Sequence, residues 1–267
     1  MKNILVLVHE DSGQEARFQA ALDVTRALDG HLACLDVFAP PVTYADVYGG
    51  GEAAMLVEQD TREHQAENRK ALESRLAHED VKWSWQEVRG NPAAEVSRAA
   101  QLADLIVLNN HFEGNDDRDP RSVSTDVVMK SGRPVLAVPG TCKGIATAGP
   151  AMIAWDGSPP ATNALRAAVP LLALASAVTF LEVGEPDSEY PATEAATWLS
   201  RHDIHARIFG DNDETDVAGT ILERARRAGV TYIVMGAFGQ SRVFERLFGG
   251  VTRSMLKESE IPLFLAH

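Results

Sequence analysis

The chain repeats one order of strands and helices in its two halves, and this repeat restricts the possible folds more than any other feature. Each half opens with a short apolar strand, predicted at residues 4–8 and 151–155, and continues into an alanine-rich helix. Each half closes with a similar apolar strand, predicted at 133–139 and 261–266. Strands that alternate with helices need right-handed crossovers, which give a parallel sheet covered by helices on both faces. The repeat therefore predicts two similar α/β domains.

Three further strands are predicted between the opening and closing strands of each half. They lie at 32–38, 83–88 and 105–109 in the first half and at 177–183, 205–209 and 232–236 in the second. Helices are predicted at 14–28, 53–79, 92–102, 161–174 and 214–228. The segment 140–150 is rich in small residues and predicts a linker, which divides the chain into domains 1–143 and 144–267. Each domain is thus expected to contain a five-stranded parallel sheet.

The composition excludes several classes of partner. The chain has 267 residues, of which 45% are hydrophobic, so it can form a packed core. Its formal net charge of -13 argues against binding to nucleic acid and to an anionic membrane surface. Only Cys34 and Cys142 are present, so no disulfide framework is expected and a reducing cytoplasm is favoured. No stretch reaches the ~18 apolar residues that membrane insertion needs, and the N-terminal apolar run is too short for a signal peptide.

The glycines of the second half have a spacing that suits a ligand held by backbone groups. Gly236 and Gly239 follow an apolar run at 230–235, and Gly249 and Gly250 come after nine further residues, where a helix is predicted to begin. Glycine has no Cβ, so the backbone at the end of a strand can approach a ligand closely. The helix N-terminus beyond offers free N–H groups and a partial positive charge, which suit a phosphate. From the residues alone, the alternative is a pair of glycine-rich turns around a helix.

A second element opens the same half. Asp156-Gly157-Ser158 follows the apolar strand at 151–155 and precedes a helix. The strand-end aspartate and the Gly-x2-Gly-x9-Gly element together resemble the universal stress protein family, and the resemblance covers the whole C-terminal half. It implies flavodoxin-like domains of the adenine nucleotide alpha hydrolase type, arranged here as a pseudo-dimer within one chain. The family closes its dimers through the last strand, so Val135–Val138 and Leu263–Ala266 are expected to pair.

The resemblance further implies that the C-terminal domain binds ATP, with or without Mg²⁺. The residues predicted to bind it are Ala154, Asp156, Val183, Met235, Gly236, Gly239, Gly249, Gly250, Val251 and Thr252. Asp156 would accept hydrogen bonds from the ribose or the adenine edge. Ala154 and Val183 would flank the adenine ring, and the backbone at Met235 and Gly236 would approach the adenosine. From the residues alone, Asp156 could instead be the N-cap of the following helix.

The glycine-rich end of this site would hold the phosphates. The resemblance assigns that role to backbone N–H groups, those of Gly239, Gly249, Gly250 and Val251. The chain departs from the family at Gly250, because the family has Ser or Thr there and its hydroxyl contacts a phosphate oxygen. Thr252, two residues further on, is the candidate for a substitute hydroxyl.

The first half resembles the family in layout but only weakly in these residues. His9-Glu10-Asp11 stands where the second half has Asp156-Gly157-Ser158, and Asn109 stands where it has Gly236. The acidic stretch at 113–119 would repel a phosphate at short range. The first half is therefore interpreted as having lost the nucleotide site.

Two further patterns in the first half have less specific spacings. Gly49-x-Gly51 imitates a dinucleotide fingerprint but does not lie between a strand and its helix, so a glycine-rich loop is predicted instead. His9 and His111 end two strands that should be neighbours. They either bind a metal together with nearby carboxylates or are partly exposed polar residues.

The expected function is that of a stress-response sensor or regulator that binds adenine nucleotide and is not an enzyme. No Walker A sequence or nucleophile elbow is present, and no catalytic residue can be named, although slow ATP hydrolysis stays open. The alternative is a nucleotide-free interaction scaffold or a small-ligand-binding protein of the same fold. A second copy of the chain or another protein is the expected macromolecular partner.

Overall fold

The computed structural model describes residues 1–38, 51–110, 123–184, 190–212, 215–239 and 250–267, without the side chains of 51–58. The strands in these residues are β1 (Asn3–Val8), β2 (His31–Phe38), β3 (Lys82–Arg89), β4 (Leu105–Asn109), β5 (Val135–Val138), β6 (Ala151–Ala154), β7 (Val178–Val183), β8 (Ala206–Asp211), β9 (Tyr232–Gly236) and β10 (Leu263–Ala266). The helices are α1 (Gln14–Ala27), α2 (Gly51–Leu76), α3 (Pro92–Ala99), α4 (Val123–Lys130), α5 (Pro159–Leu172), α6 (Ala192–Ser200), α7 (Val217–Arg227) and α8 (Gly250–Glu258).

One sheet contains all of these strands, in the order β3-β2-β1-β4-β5-β10-β9-β6-β7-β8. Neighbouring strands within each half are parallel, and their registers correspond. Ile4 pairs with Leu105 in the first half, as Ala151 pairs with Tyr232 in the second. The α/β fold with parallel strands that the repeat predicts is therefore confirmed. In each half the strand order reverses next to the opening strand, and in such sheets ligands bind beyond the carboxyl ends of the strands at that point.

The two halves join through their closing strands, β5 and β10. These strands are antiparallel, with Leu136 opposite Phe264 and Ala137 opposite Leu263. All four of these side chains are fully buried. The predicted pairing is therefore confirmed, and it removes two apolar sheet edges that would otherwise be open to aggregation.

Side chains that alternate along the strands form two apolar layers, one on each face of the sheet. In β1, Ile4 and Val6 belong to the layer beneath α1, α2, α5 and α6, whereas Leu5 and Leu7 belong to the layer beneath α3, α4, α7 and α8. Strands that are buried on both faces are typical of parallel sheets. Both layers cover the sheet, but the loops at the carboxyl ends of the strands stay accessible for a site.

The bounds of the helices differ from the prediction, as two of them illustrate. The helix predicted to begin at 214 begins at Val217, because Asp216 is its N-cap and accepts a 2.9 Å hydrogen bond from the N–H of Gly219. The helix predicted at 92–102 ends as an α-helix at Ala99 and continues as the 3-10 turn Ala100–Leu102. The predicted glycine-rich loop before α2 falls in 39–50, outside the described residues.

Both cysteines are free thiols. Cys34 is buried in β2, and burial raises the pKa of its thiol to about 12, so it is almost entirely protonated at neutral pH. None of the described helices combines the length and the apolar character that a membrane span requires.

Candidate functional site

A cavity of about 120 Å³ lies in the second half at the carboxyl ends of β6, β7 and β9. It is on the face of the sheet that α7 and α8 cover. Its apolar wall combines strand ends with the first turns of α7 and consists of Leu181, Val183, Val217, Ile221 and Met235. Ala154, the last residue of β6, adds a small side chain to the same wall. This arrangement suits a flat apolar group better than a charged one.

Asp156 lies just beyond β6 at the rim of the cavity. It is the only charged residue among the described residues that line the cavity, and it is exposed. Its Oδ1 accepts a 3.0 Å hydrogen bond from the N–H of Ser158. Ser158 is the N-cap of α5, because its Oγ accepts from the N–H of Ala161 at 3.3 Å. The alternative prediction that Asp156 caps this helix is therefore wrong.

Gly236 brings β9 close to the first turn of α5. A Cβ on Gly236 would lie 2.5 Å from the backbone nitrogen of Ala161 and 2.8 Å from the carbonyl carbon of Pro160. Such distances are below any normal contact, so the helix backbone itself requires glycine here. Gly236 also lines the cavity, and packing against α5 is by itself enough to require its lack of a side chain.

The loop after β9 is held in an uncommon conformation. Phe238 has a φ of 55°, in the left-handed region that costs a non-glycine residue about 1–3 kcal/mol. Its N–H donates to the Oγ1 of Thr252 at 3.2 Å, which ties the loop to the first turn of α8. Thr252 was predicted as a substitute hydroxyl for phosphate; in the structure its oxygen accepts this backbone hydrogen bond. Strained residues of this kind concentrate at functional sites.

Three helices begin at the cavity: α5 behind Ser158, α7 at Val217 and α8 at Gly250. The N-termini of α7 and α8 carry backbone N–H groups without partners in their own helices and about half of a positive charge. The first two residues of α5, Pro159 and Pro160, have no N–H, and the N–H of Ala161 is bonded to Ser158, so α5 offers no free donor here. Gly250 and Val251, the first two residues of α8, both line the cavity. Among the described residues, the cavity wall has no lysine or arginine side chain, so its positive partial charge comes from the starts of α7 and α8, whereas Asp156 adds a negative charge at the rim.

The structure brings nine of the ten predicted residues to this one cavity: Ala154, Asp156, Val183, Met235, Gly236, Gly239, Gly250, Val251 and Thr252. The tenth, Gly249, lies outside the described residues. The other described residues that line the cavity were not predicted as binding residues: Trp155, Ser158, Leu181, Val217, Ile221 and Phe238. The sequence pattern of α7 indicates an apolar face, but it does not indicate that the first turn of this helix lies next to the end of β9. No sequence pattern indicates the role of Phe238, because its backbone conformation follows from tertiary contacts.

The corresponding edge of the first half is organised around one buried arginine. Arg17 of α1 is fully buried and donates from Nε to the carbonyl of Leu7 at 2.6 Å and from Nη2 to that of His9 at 2.8 Å. Its Nη1 pairs with Asp11 at 3.2 Å and also donates to the Oδ1 of Asn109. Burial lowers the pKa of the Arg17 guanidinium, and the Asp11 carboxylate opposes that shift. The polar groups at this strand end are thus used in internal contacts.

Asn109 ends β4 where Gly236 ends β9. Its Nδ2 donates to the carbonyls of Gly13 and Val138, both at 3.1 Å, so it joins the start of α1 to the end of β5. Burial also lowers the pKa of the nearby His9 imidazole, although Asp11 acts in the opposite direction. These contacts are consistent with the interpretation that the first half lacks the nucleotide site, which stays a prediction.

The metal hypothesis for the first half gains no support. Among the described residues, no group of three or more His, Cys, Asp or Glu is placed to hold a metal ion. His111, which the hypothesis requires, lies outside them.

Comparisons with known proteins agree with this architecture. The family model described as the universal stress protein family matches residues 1–139, which is about half of the chain. This is the half with Arg17, and not the half whose glycines and Asp156 carried the resemblance. A search of curated proteins found no match.

Solved structures cover the whole chain at low identity. A universal stress protein from Archaeoglobus fulgidus is 16% identical, with a TM-score of 0.72, over 99% of this chain and 96% of the other. A proposed universal stress protein from Pseudomonas aeruginosa is also 16% identical, with a TM-score of 0.56, over 100% and 93% of the two chains. The cytoplasmic domain of a prokaryotic cation chloride cotransporter is 13% identical, with a TM-score of 0.51, over 99% and 94%. At these identities the likeness concerns the fold alone.

Proposed function

The chain belongs to the universal stress protein family, and we propose that it binds ATP in the cavity of its C-terminal half and acts as a stress-response sensor or regulator. The proposal rests on one observation. An apolar wall, an exposed carboxylate and the N-termini of α7 and α8 meet at the same cavity, beyond the carboxyl ends of β6, β7 and β9. Adenine, ribose and phosphate are the three chemical groups that this combination suits.

The apolar wall is proposed to receive the adenine ring. Leu181, Val183 and Met235 come from two strands, and Val217 and Ile221 close the other side. The described residues enclose about 120 Å³, which is less than the roughly 300–1,000 Å³ usual for ligand sites. We therefore assign this cavity to the base end of the nucleotide and expect the phosphates at its rim, towards Gly239 and the start of α8.

Asp156 is proposed to accept hydrogen bonds from the ribose. Its Oδ1 is already held by the N–H of Ser158, which fixes the orientation of the carboxylate. Its Oδ2 has no hydrogen-bond partner in the described part of the chain. A carboxylate near the phosphates would repel them, so the ribose hydroxyls are the more suitable donors.

ATP is proposed to act as a bound effector and not as a substrate that is turned over. Efficient phosphoryl transfer needs lysine, arginine or metal ions to neutralise the developing charge. Asp156 is the only charged residue among the described residues of the cavity wall. Backbone N–H groups can hold a phosphate in the ground state, but such uniform binding does not raise turnover. Any hydrolysis should therefore stay far below the ~1–10³ s⁻¹ typical of enzymes.

The decisive experiment uses the full chain purified without added nucleotide. Mass spectrometry of the small molecules released on denaturation should identify adenine nucleotide, and calorimetric titration should give about one ATP per chain. Two equal sites would contradict the assignment to one half. Absence of both retained nucleotide and ATP binding would favour the nucleotide-free scaffold.

A pair of variants at Asp156 tests the assignment of the site. Asp156→Ala removes the carboxylate and should weaken ATP binding about tenfold, or 1.4 kcal/mol. Asp156→Asn keeps an oxygen that can accept hydrogen bonds from Ser158 and from a ribose hydroxyl. Its ATP affinity should therefore fall less than that of Asp156→Ala. If the wild type and Asp156→Ala bind ATP with equal affinity, the nucleotide does not contact this rim and the assignment is wrong.

A further inference from the structure

A second cleft of the C-terminal half lies on the opposite face of the sheet, between α5 and α6. Its volume of about 680 Å³ is within the range usual for small-molecule sites. Three aromatic side chains line it: Trp155, Tyr190 and Trp198. We call it the aromatic cleft. It shares Trp155 with the first cavity, but its walls come from other helices, so it is a separate site.

Hydrogen bonds and ring contacts hold the aromatic wall in place. The indole Nε1 of Trp155 donates to the carbonyl of Tyr190 at 2.9 Å. The Trp155 ring also meets Phe180 edge to face, with the centroids 5.8 Å apart and the planes at 87°. The side chain of Glu182 accepts from the N–H of Ala192 at 3.0 Å, which fixes the start of α6. The wall is therefore formed before any ligand arrives.

The three aromatic residues of this wall differ in exposure, from the buried Trp155 to the exposed Tyr190. Tyr190 is 58% exposed, and polar and apolar residues both surround it in the cleft. Trp198 is half-buried and packs against His202, with the ring centroids 4.6 Å apart. Tyrosine and tryptophan lose little entropy on binding and offer large flat surfaces, so exposed aromatic residues in a concave site favour a planar ligand.

Two arginines give the aromatic cleft its charge. Arg166 of α5 and Arg201 at the end of α6 both line it and are both exposed. Neither forms an ion pair in the described part of the chain, where most other arginines of the helices are paired with carboxylates. Glu194 is the one carboxylate among the described residues that line the cleft. The described lining of the cleft thus carries two positive charges and one negative charge, on a chain whose formal net charge is -13.

We propose that the aromatic cleft binds a small aromatic carboxylate. The ring of the ligand would lie against Tyr190 and Trp198, and its carboxylate would pair with Arg166 or Arg201. A guanidinium binds a carboxylate through two parallel N–H···O hydrogen bonds, which fixes the orientation as well as the charge of the ligand. This inference does not depend on ATP binding, because the two sites lie on opposite faces of the sheet.

The test uses the nitrogen-15-labelled full chain, because its four tryptophans give four indole N–H signals that NMR resolves. The probe is 2-naphthoate, and 2-naphthalenemethanol is its uncharged counterpart. Naphthoate should shift the Trp155 and Trp198 signals saturably and leave Trp83 and Trp85 unchanged. The alcohol should bind at least tenfold more weakly, because it cannot pair with a guanidinium.

Variants separate the charge contribution from the apolar one. Arg201→Gln and Arg166→Gln change exposed side chains, so the fold should be kept, and at least one of them should weaken naphthoate binding about tenfold. Arg253→Gln is the matched control, because Arg253 is an exposed arginine of α8 on the other face of the sheet. The proposal is wrong if naphthoate causes no saturable shift, if the alcohol binds equally well, or if both cleft variants bind like the control.

Discussion

At the end of the first strand of each half, the chain carries a polar triplet, and the two triplets have different surroundings. In the first half, Asp11 pairs with the buried Arg17, which also occupies the carbonyls of two residues of the strand end. In the second half, Asp156 is exposed at the rim of a cavity. The position that corresponds to Arg17 is Ala164, six residues after Ser158 as Arg17 is six residues after Asp11, and Ala164 is also fully buried.

The difference shows how one topology can support a site in one copy and a structural network in the other. The strand order and the pairing registers of the two halves agree, so the backbone brings the same edges together in both. Where Asn109 uses its side chain to join β4 to α1, Gly236 lets the backbone of α5 approach directly. A family match is therefore informative about the fold, whereas the site has to be argued from individual side chains.

Removal of Arg17 should have the largest effect on stability. Arg17→Ala would leave the Asp11 carboxylate, which is 6% exposed, without its buried partner, and it would remove the donor of two backbone carbonyls. Loss of one partner of a buried ion pair costs about 3–5 kcal/mol. Urea unfolding of the variant and the wild type would measure this difference.

The matched control for Arg17 is an exposed arginine of α7. Arg227 pairs with Glu223, and their side chains are 67% and 56% exposed. Arg227→Ala should change the free energy of unfolding by less than about 1 kcal/mol. If both substitutions had equally small effects, the Arg17 network would not be what stabilises the first half.

The sequence predicted the fold and the location of the cavity better than it predicted the roles of single residues. The repeat and the apolar strands sufficed for the sheet, because parallel strands with helical crossovers bring their carboxyl ends to one edge. Arg17 was not singled out, because an arginine in an amphipathic helix is usually exposed and its burial depends on carbonyls from another element. Ser158 and Asp156 are both good capping residues, so the choice between them required the geometry of α5.

The stability of the first half should depend on pH through Asp36 in β2, for which the second half has a different residue. It is buried beside Gln65 of α2, and burial raises the pKa of its carboxyl to about 6, with Glu87 adding to the shift and Arg69 opposing it. The register places Glu182 of β7 at the corresponding position, where it accepts from the N–H of Ala192.

Because the pKa of Asp36 in the folded protein lies above its ordinary value of 3.8, the folded state holds this proton more tightly than the unfolded chain does. The resulting stabilisation is fully present below about pH 4 and is lost as the pH rises to about 6. Its size is on the order of 3 kcal/mol. Urea unfolding from pH 4 to pH 7 should show that Asp36→Asn loses less stability over this range than the wild type. Parallel curves for the two proteins would contradict the shifted pKa.

Gly236→Ala should destabilise the second half through packing alone. The added Cβ would lie 2.5 Å from a backbone nitrogen of α5, so the helix or the strand has to move. Overpacking of this kind costs about 2 kcal/mol. Gly210→Ala in β8 is the matched control, since a Cβ there meets nothing within 4 Å. A thermal unfolding midpoint that is equally unaffected in both variants would show that α5 can move away at no cost.

Gly239→Val should have the smallest effect in free energy but the most direct bearing on the proposed site. A Cβ at Gly239 would make only ordinary contacts, 3.4 Å from Pro160 and 3.6 Å from Ser158, so the variant should fold. The branched valine side chain would project into the rim where the phosphates are proposed to lie. ATP binding measured by calorimetry should weaken at least tenfold, or about 1.4 kcal/mol, while Gly210→Val should bind like the wild type. If Gly239→Val is folded and keeps full affinity, the glycine serves only the turn after β9, and the two halves of the chain differ less in function than their side chains suggest.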